Sequence, residues 1–327
     1  MKYAPQIAQL LLSILALFAI SYFVDFGQVL SVLQGANLQY VLGGGACYMG
    51  INLLMSLRMK VLLEDMGARV GYWKITLAHF AGMLASDFTP ARSGYFTTAA
   101  VLASSGVPAS KAVASILSPQ LFDFFLKVIV GSIAIAYMLS FFALGGDFAL
   151  GTIAGILGVL LMLIFAVFLV FSRKFLLFLQ PFFSIHFLGE KAWEMLAGMQ
   201  EHSKAIKRKL PFVLGLLFCT WMLKGAEWML LGSALSLSPN FPYGAFVFYL
   251  LLQPLITILQ FLPFPTLAGA GLSEAGAIGA LFFFGIDAPS AAAFALLTRG
   301  IMISIDLIGL ARITKIDFGK ILAKAPI

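Results

Sequence analysis

The chain has 327 residues, 61% of them hydrophobic and only 11% charged, with a mean hydropathy of +1.00. Soluble domains carry about 25% charged residues, so this composition excludes an ordinary soluble enzyme and points to a polytopic, all-α integral membrane bundle. The net charge of +7 would suggest nucleic acid in a soluble chain, but here its placement gives a topological explanation instead.

Residues 7–24 form the first apolar run. No small-x-small cleavage site follows it, so it is read as a retained signal-anchor helix running outward. Residues 38–57 return inward to Arg58, and the following stretch with Lys60, Arg69 and Lys74 reads as a cytoplasmic loop. Residues 75–111 are too polar and too broken by Pro and Gly for one clean crossing. Residues 112–144 are long enough to cross, with Pro119 as a point of break, and 148–171 return to Arg173.

Residues 173–210 are the one long extramembrane stretch, carrying Arg173, Lys174, Lys191, Lys204, Lys207, Arg208 and Lys209. Within it Trp193, Leu196, Met199 and Ile206 recur at roughly helical spacing, which predicts an amphipathic helix on the cytoplasmic surface. Residues 211–235 then cross outward, 243–262 cross back, and 288–311 end inward at Arg312. The basic groups, with Lys2 at the start and Lys315, Lys320 and Lys324 in the tail, all fall on the cytoplasmic side by the positive-inside rule. One membrane domain spans 1–327, with 313–327 as a cytoplasmic tail.

This path leaves a deficit: 263–287 must carry the chain back outside within a stretch that opens on Pro and Gly. A broken or re-entrant element followed by a short helix over 272–284 satisfies it. The chain then has seven or eight spans at roughly 20 residues each. Two Pro/Gly-interrupted segments, one in each half, mark a midplane site in transporter-like bundles.

Several ionisable groups lie where hydrocarbon is expected, each costing about 2.5–3.5 kcal/mol at the bilayer centre. Asp87 and Arg92 flank the first break, and Glu274 lies in the second. Asp123 and Lys127 are spaced i, i+4, and Lys224 and Glu227 i, i+3, so each pair shares a helix face and reads as an ion pair. Arg299 and Asp306 lie two turns apart on the last helix. Local pairing or snorkelling explains the lysines as well as function does. Arg92, Glu274 and Arg299 cannot easily reach an interface, and a polar cavity inside the bundle accommodates them best; guanidinium groups suit phosphate oxygens.

Other chemistries find little support. The Gly-x-Gly of "AGAGLSEAG" follows no strand, no zinc or hydrolase signature occurs, and His79 is the only histidine in the apolar body. Cys47 and Cys219 read as small packing residues. No metal, cofactor or enzymatic activity is expected.

"PTLAGAGLSEAG" resembles the Pro-Thr-Pro-Gly-Gly-x-Gly-x-x-Glu-x-Gly signature of the flippase-like membrane domain found in bacterial lysylphosphatidylglycerol synthases. Pro265, Thr266, Gly269, Gly271, Glu274 and Gly276 align with it, and Arg299 matches an arginine in the following helix. Upstream, "FTPARSGYFTTAAVL" is similar to the family's Thr-Pro-x-Arg-x-Gly-Glu-x-x-Arg segment through Thr89, Pro90, Arg92 and Gly94. Arg58 and Asp123 match as well. Tyr95 and Thr98 stand where the family has Glu and Arg, and Leu267–Ala268 replace its Pro-Gly.

The resemblance implies a prokaryotic cytoplasmic-membrane protein, with both termini inside, that moves an anionic phospholipid or polyprenyl-phosphate-linked lipid between leaflets. Arg58, Asp87, Arg92, Asp123, Glu274 and Arg299 would contact substrate. Lysyl transfer is not expected, since the sequence has no aminoacyltransferase domain. A small-solute or ion-coupled carrier, and a non-catalytic partner of a lipid-modifying enzyme, remain alternatives. Membrane lipids are the expected partners, with a homodimer or an enzyme partner also open.

Overall fold

The computed structural model describes residues 25–89, 93–141, 146–183, 189–261 and 271–313. Helices joined by short turns make up these residues, with no strand among them. The first apolar run at 7–24 lies outside them.

Asp25 caps α1 (Phe26–Gln34), its carboxylate accepting the Gly27 and Gln28 N–H groups. Asn37 caps α2 (Leu38–Asp65) in the same manner, through the Gln39 N–H. Side chains that accept these otherwise unpaired first-turn donors define where a helix begins. Next come α3 (Tyr72–Asp87) and α4 (Tyr95–Ser104), then the long α5 (Ala109–Phe141). α6 (Gly146–Phe171) and α7 (Arg173–Phe183) meet at an elbow of 101°. α8 (Gly189–Glu201), α9 (Ser203–Ala234), α10 (Ala245–Phe261), α11 (Leu272–Phe283) and α12 (Ala288–Asp306) follow. A 3-10 turn (Leu307–Gly309) and α13 (Leu310–Ile313) close the described chain.

Among the described residues four helical stretches are long and apolar enough to cross a bilayer: Leu38–Asp65, Ala109–Tyr137, Ser203–Ala234 and Ala288–Arg312; a fifth arises if the bent α6–α7 pair is one span. The expected crossing at 243–262 is the 17-residue α10, about 26 Å long at 1.5 Å per residue and slightly short of the roughly 30 Å hydrocarbon core.

Two local expectations change. Pro119 and Pro211 both lie inside continuous helices, so neither marks a break. A proline removes one intrahelical bond, a loss that packed neighbours tolerate in membrane helices. The division expected between residues 210 and 211 is therefore absent, and α9 runs through it. The chain breaks earlier, at His202, between α8 and α9.

The apolar face expected to lie on the membrane surface is also turned inward. Met199 and Ile206 are fully covered and pack with Leu62, Leu63, Ile75 and Val101, while Leu196 lies against the same cluster. A second core joins α1, α9, α10, α11 and α12 through Leu231, Tyr249, Leu281 and Phe294. α2 lies along α9, and this pair carries Tyr48, Asn52, Arg58, Lys224 and Glu227 among the polar residues described next.

Candidate functional site

The sequence places Glu274 at the third position of α11, where a carboxylate both caps the helix and meets the positive end of its dipole. Gly271, with φ +91°, occupies the capping position, a conformation that side chains with a Cβ rarely adopt. Its N–H donates to Glu274 Oε2 at 2.7 Å, and Ser273 Oγ donates to the same oxygen at 2.9 Å. The other oxygen, Oε1, meets Arg299 Nε at 2.5 Å, and Arg299 Nη2 donates to Ser273 Oγ at 3.2 Å. One guanidinium thus grips the first turn of a neighbouring helix through two side chains.

The expected short helix over 272–284 is present, and Glu274 and Arg299 do meet, with Glu274 only 6% exposed. Asp87, buried at the end of α3, lines the same small cavity of about 40 Å³, walled by Trp228, Ile256 and Phe294. Arg92 and Pro90, and Pro265, Thr266 and Gly269 of the second motif, lie outside the described residues.

Trp228 and Met302 also line a second, larger cavity of about 100 Å³. The two cavities therefore share a wall. The larger one is lined by Lys127 and Lys224, each paired within its own helix as their spacing predicts. Lys127 Nζ lies 2.6 Å from Asp123 Oδ2, which also accepts Gln120 Nε2 at 2.9 Å. Lys224 Nζ donates to both oxygens of Glu227, at 2.7 and 2.8 Å, and sits 4.8 Å from the centre of the Tyr48 ring. Tyr48 O–H in turn donates to Asp306 Oδ2 at 2.8 Å. Arg299 and Asp306 thus share a helix but serve different partners.

Beside this cavity Arg58 is 3% exposed, and its Nε and Nη1 have no hydrogen-bond partner among the described residues. It lies within electrostatic reach of Asp123, Tyr95 and His79. Burying an incompletely bonded guanidinium is expensive, so the Asp123 charge is what offsets it here. Tyr95 lines the cavity where the family pattern has a carboxylate, and Thr98 is buried against Gly82 with its hydroxyl unbonded. Gly94 donates its N–H to Thr89 Oγ1 at 2.9 Å, and a Cβ on it would strike the backbone of Ala85 and Ser86. The α3–α4 crossing therefore depends on that glycine. Gly276 lies on α11, in the turn after Glu274.

Three residues of the larger cavity escaped the sequence reading. Tyr48 and Asn52 line it from α2, and His79 Nε2 lies 3.0 Å from Asn52 Oδ1. Asn52 Nδ2 donates to the Tyr48 carbonyl, and Ser56 Oγ to that of Asn52. The signal was present: Tyr48, Asn52 and Ser56 recur every fourth residue, a polar stripe along one face of an apolar helix. Among the described residues no group of three or more His, Cys, Asp or Glu side chains is placed to hold a metal ion.

Comparison with curated proteins gives no match. The family described as lysylphosphatidylglycerol synthase TM region matches residues 6–309, covering both cavities and every charged group described above. The chain is a member of that family of membrane proteins.

Proposed function

We propose that this protein moves an anionic phospholipid or a polyprenyl-phosphate-linked lipid between the leaflets of a cytoplasmic membrane. The observation that carries the reading is the pair of adjoining polar cavities, holding Arg299, Lys127 and Lys224 within an apolar bundle. A headgroup in such a tract keeps its phosphate away from hydrocarbon, where desolvation is prohibitive, while its tails stay in lipid. Seven or eight crossings, with broken segments at α3–α4 and between α10 and α11, would give the tract access to both faces. Both termini then lie in the cytoplasm. No covalent chemistry is required of the site.

Arg299 serves as the anion contact beside the half-helix α11, whose N-terminus favours negative charge. The test is reconstitution into vesicles with fluorescent phosphatidylglycerol or a polyprenyl phosphate, scoring the leaflet exposed to a quencher. Arg299→Ala is expected to slow exchange at least tenfold; an unchanged rate overturns the site assignment.

The cationic lining of Lys127 and Lys224 also suits a second reading, a carrier of a small water-soluble anion. That reading requires solute uptake that is indifferent to lipid headgroup.

A further inference from the structure

Resting on the lipid reading, we infer that the substrate anion enters the larger cavity together with a proton, and that Glu227 receives it. The starting observation is a charge balance. Among the described residues three cations face or lie beside this cavity, Arg58, Lys127 and Lys224, and three carboxylates answer them, Asp123, Glu227 and Asp306. An added anion would therefore be a surplus negative charge in a buried site, which proteins avoid by pairing or neutralising it.

The two lysine pairs differ in how easily they give way. Asp123 holds Lys127, the Gln120 amide and the field of Arg58, so neutralising it would strand two cations. Glu227 is fully buried, and both its oxygens are bonded to one ammonium, that of Lys224. Lys224 lines the cavity while Glu227 lies behind it. A proton placed on Glu227 removes its charge and leaves Lys224 Nζ able to donate to an anion's oxygen within the cavity. The proton comes from water and returns to it when the anion leaves. Binding of proton and anion are then linked, each favouring the other by the same factor.

The surroundings of Glu227 leave this exchange to one carboxylate. From α2, Cys47 lies within its electrostatic reach, and Tyr48 faces Lys224 while bonding Asp306 of α12. Asp123 and Lys127 face the same cavity from α5 as their own pair. α10 contributes Gln253 and Thr257, bonded to each other, and the phenol of Tyr249 beside Gly232. α8 meets α9 at its first turn, about 35 Å away along the helix.

The experiment uses the full chain and two readouts. The first is proton uptake on binding dioctanoyl phosphatidylglycerol, and separately inorganic phosphate, by titration calorimetry in buffers of different ionisation enthalpy. Wild type is expected to take up about one proton per anion bound, and Glu227→Gln none. The second is lipid exchange in phosphatidylethanolamine–phosphatidylglycerol vesicles between pH 6 and 8. Wild type is expected to slow severalfold across that range, and Glu227→Gln to lose the slope. The double variant Lys224→Met/Glu227→Leu, which keeps the site neutral, guards against misfolding; it is expected to bind the anion at least tenfold more weakly and without a proton. Anion binding without proton uptake, no binding of either probe, or an unaltered slope in Glu227→Gln overturns the inference. Exchange without proton uptake would leave the lipid reading standing, whereas proton-linked phosphate binding without lipid exchange would overturn that reading and keep the coupling.

Discussion

The two cavities share a wall and an ion-paired lining, yet they are built on opposite plans. In the smaller one the pair joins two helices: Arg299 of α12 holds Glu274 and Ser273 of α11. In the larger one each lysine is paired with a carboxylate one turn away on its own helix. A contact between helices contributes to holding them together, so opening it disturbs packing. A contact within a helix can open while every helix stays in place. The smaller cavity thus holds its guanidinium rigidly between two helices, and the larger one is where a pair can open without moving a helix.

Substitutions should separate the two plans. Arg299→Ala leaves the buried Glu274 with hydrogen bonds but no opposing charge from α12, and should lower stability by about 3–5 kcal/mol, seen as a fall in thermal unfolding temperature in detergent. Equal losses from Arg299→Ala and Lys127→Met would break the comparison. Ser273→Ala removes one donor to Glu274 and one acceptor for Arg299; about 1.5 kcal/mol is expected. Lys127→Met should cost about 1 kcal/mol, because Asp123 retains the Gln120 amide and Arg58. A double-mutant cycle between Arg299 and Glu274 should show coupling well above that between Lys127 and Asp123.

The smallest effect concerns neither cavity. His202, at the break between α8 and α9, lies 3.3 Å from Ser110 Oγ, and partial burial, then nearby Lys111, lowers its pKa. The folded state therefore prefers the neutral ring, and its contribution is complete above the unfolded value near pH 6.5. It is lost as the pH falls through the lowered value. A shallow drop in unfolding temperature on acidification, absent in His202→Asn, would identify this term.

The two plans were unequally legible in the sequence. Asp123–Lys127 and Lys224–Glu227 follow from helical spacing alone, because both partners share one helix face. Glu274 and Arg299 were assigned to one cavity on energetic grounds, but their direct contact depends on how α11 turns back onto α12. The bond from Tyr48 to Asp306 joins residues 258 positions apart, and no local pattern encodes it. The helices at 38–57, 112–144 and 288–311 were visible as apolar runs. The inward turn of Met199 and Ile206 was not, because an amphipathic face reads alike whether lipid or protein covers it.

The elbow at Ser172 has a consequence for how the whole molecule rides in its membrane. With α6 along the bilayer normal, a turn of 101° lays α7 close to the membrane plane, Leu177 and Phe178 exposed along it and Arg173 and Lys174 at its start. Such a helix behaves as a keel at the water line. Sinking would drag two cations into oil, and rising would strip an aromatic ring from it. Vertical travel of this half of the bundle is thereby resisted, while tilting and rotation about a fixed depth are not.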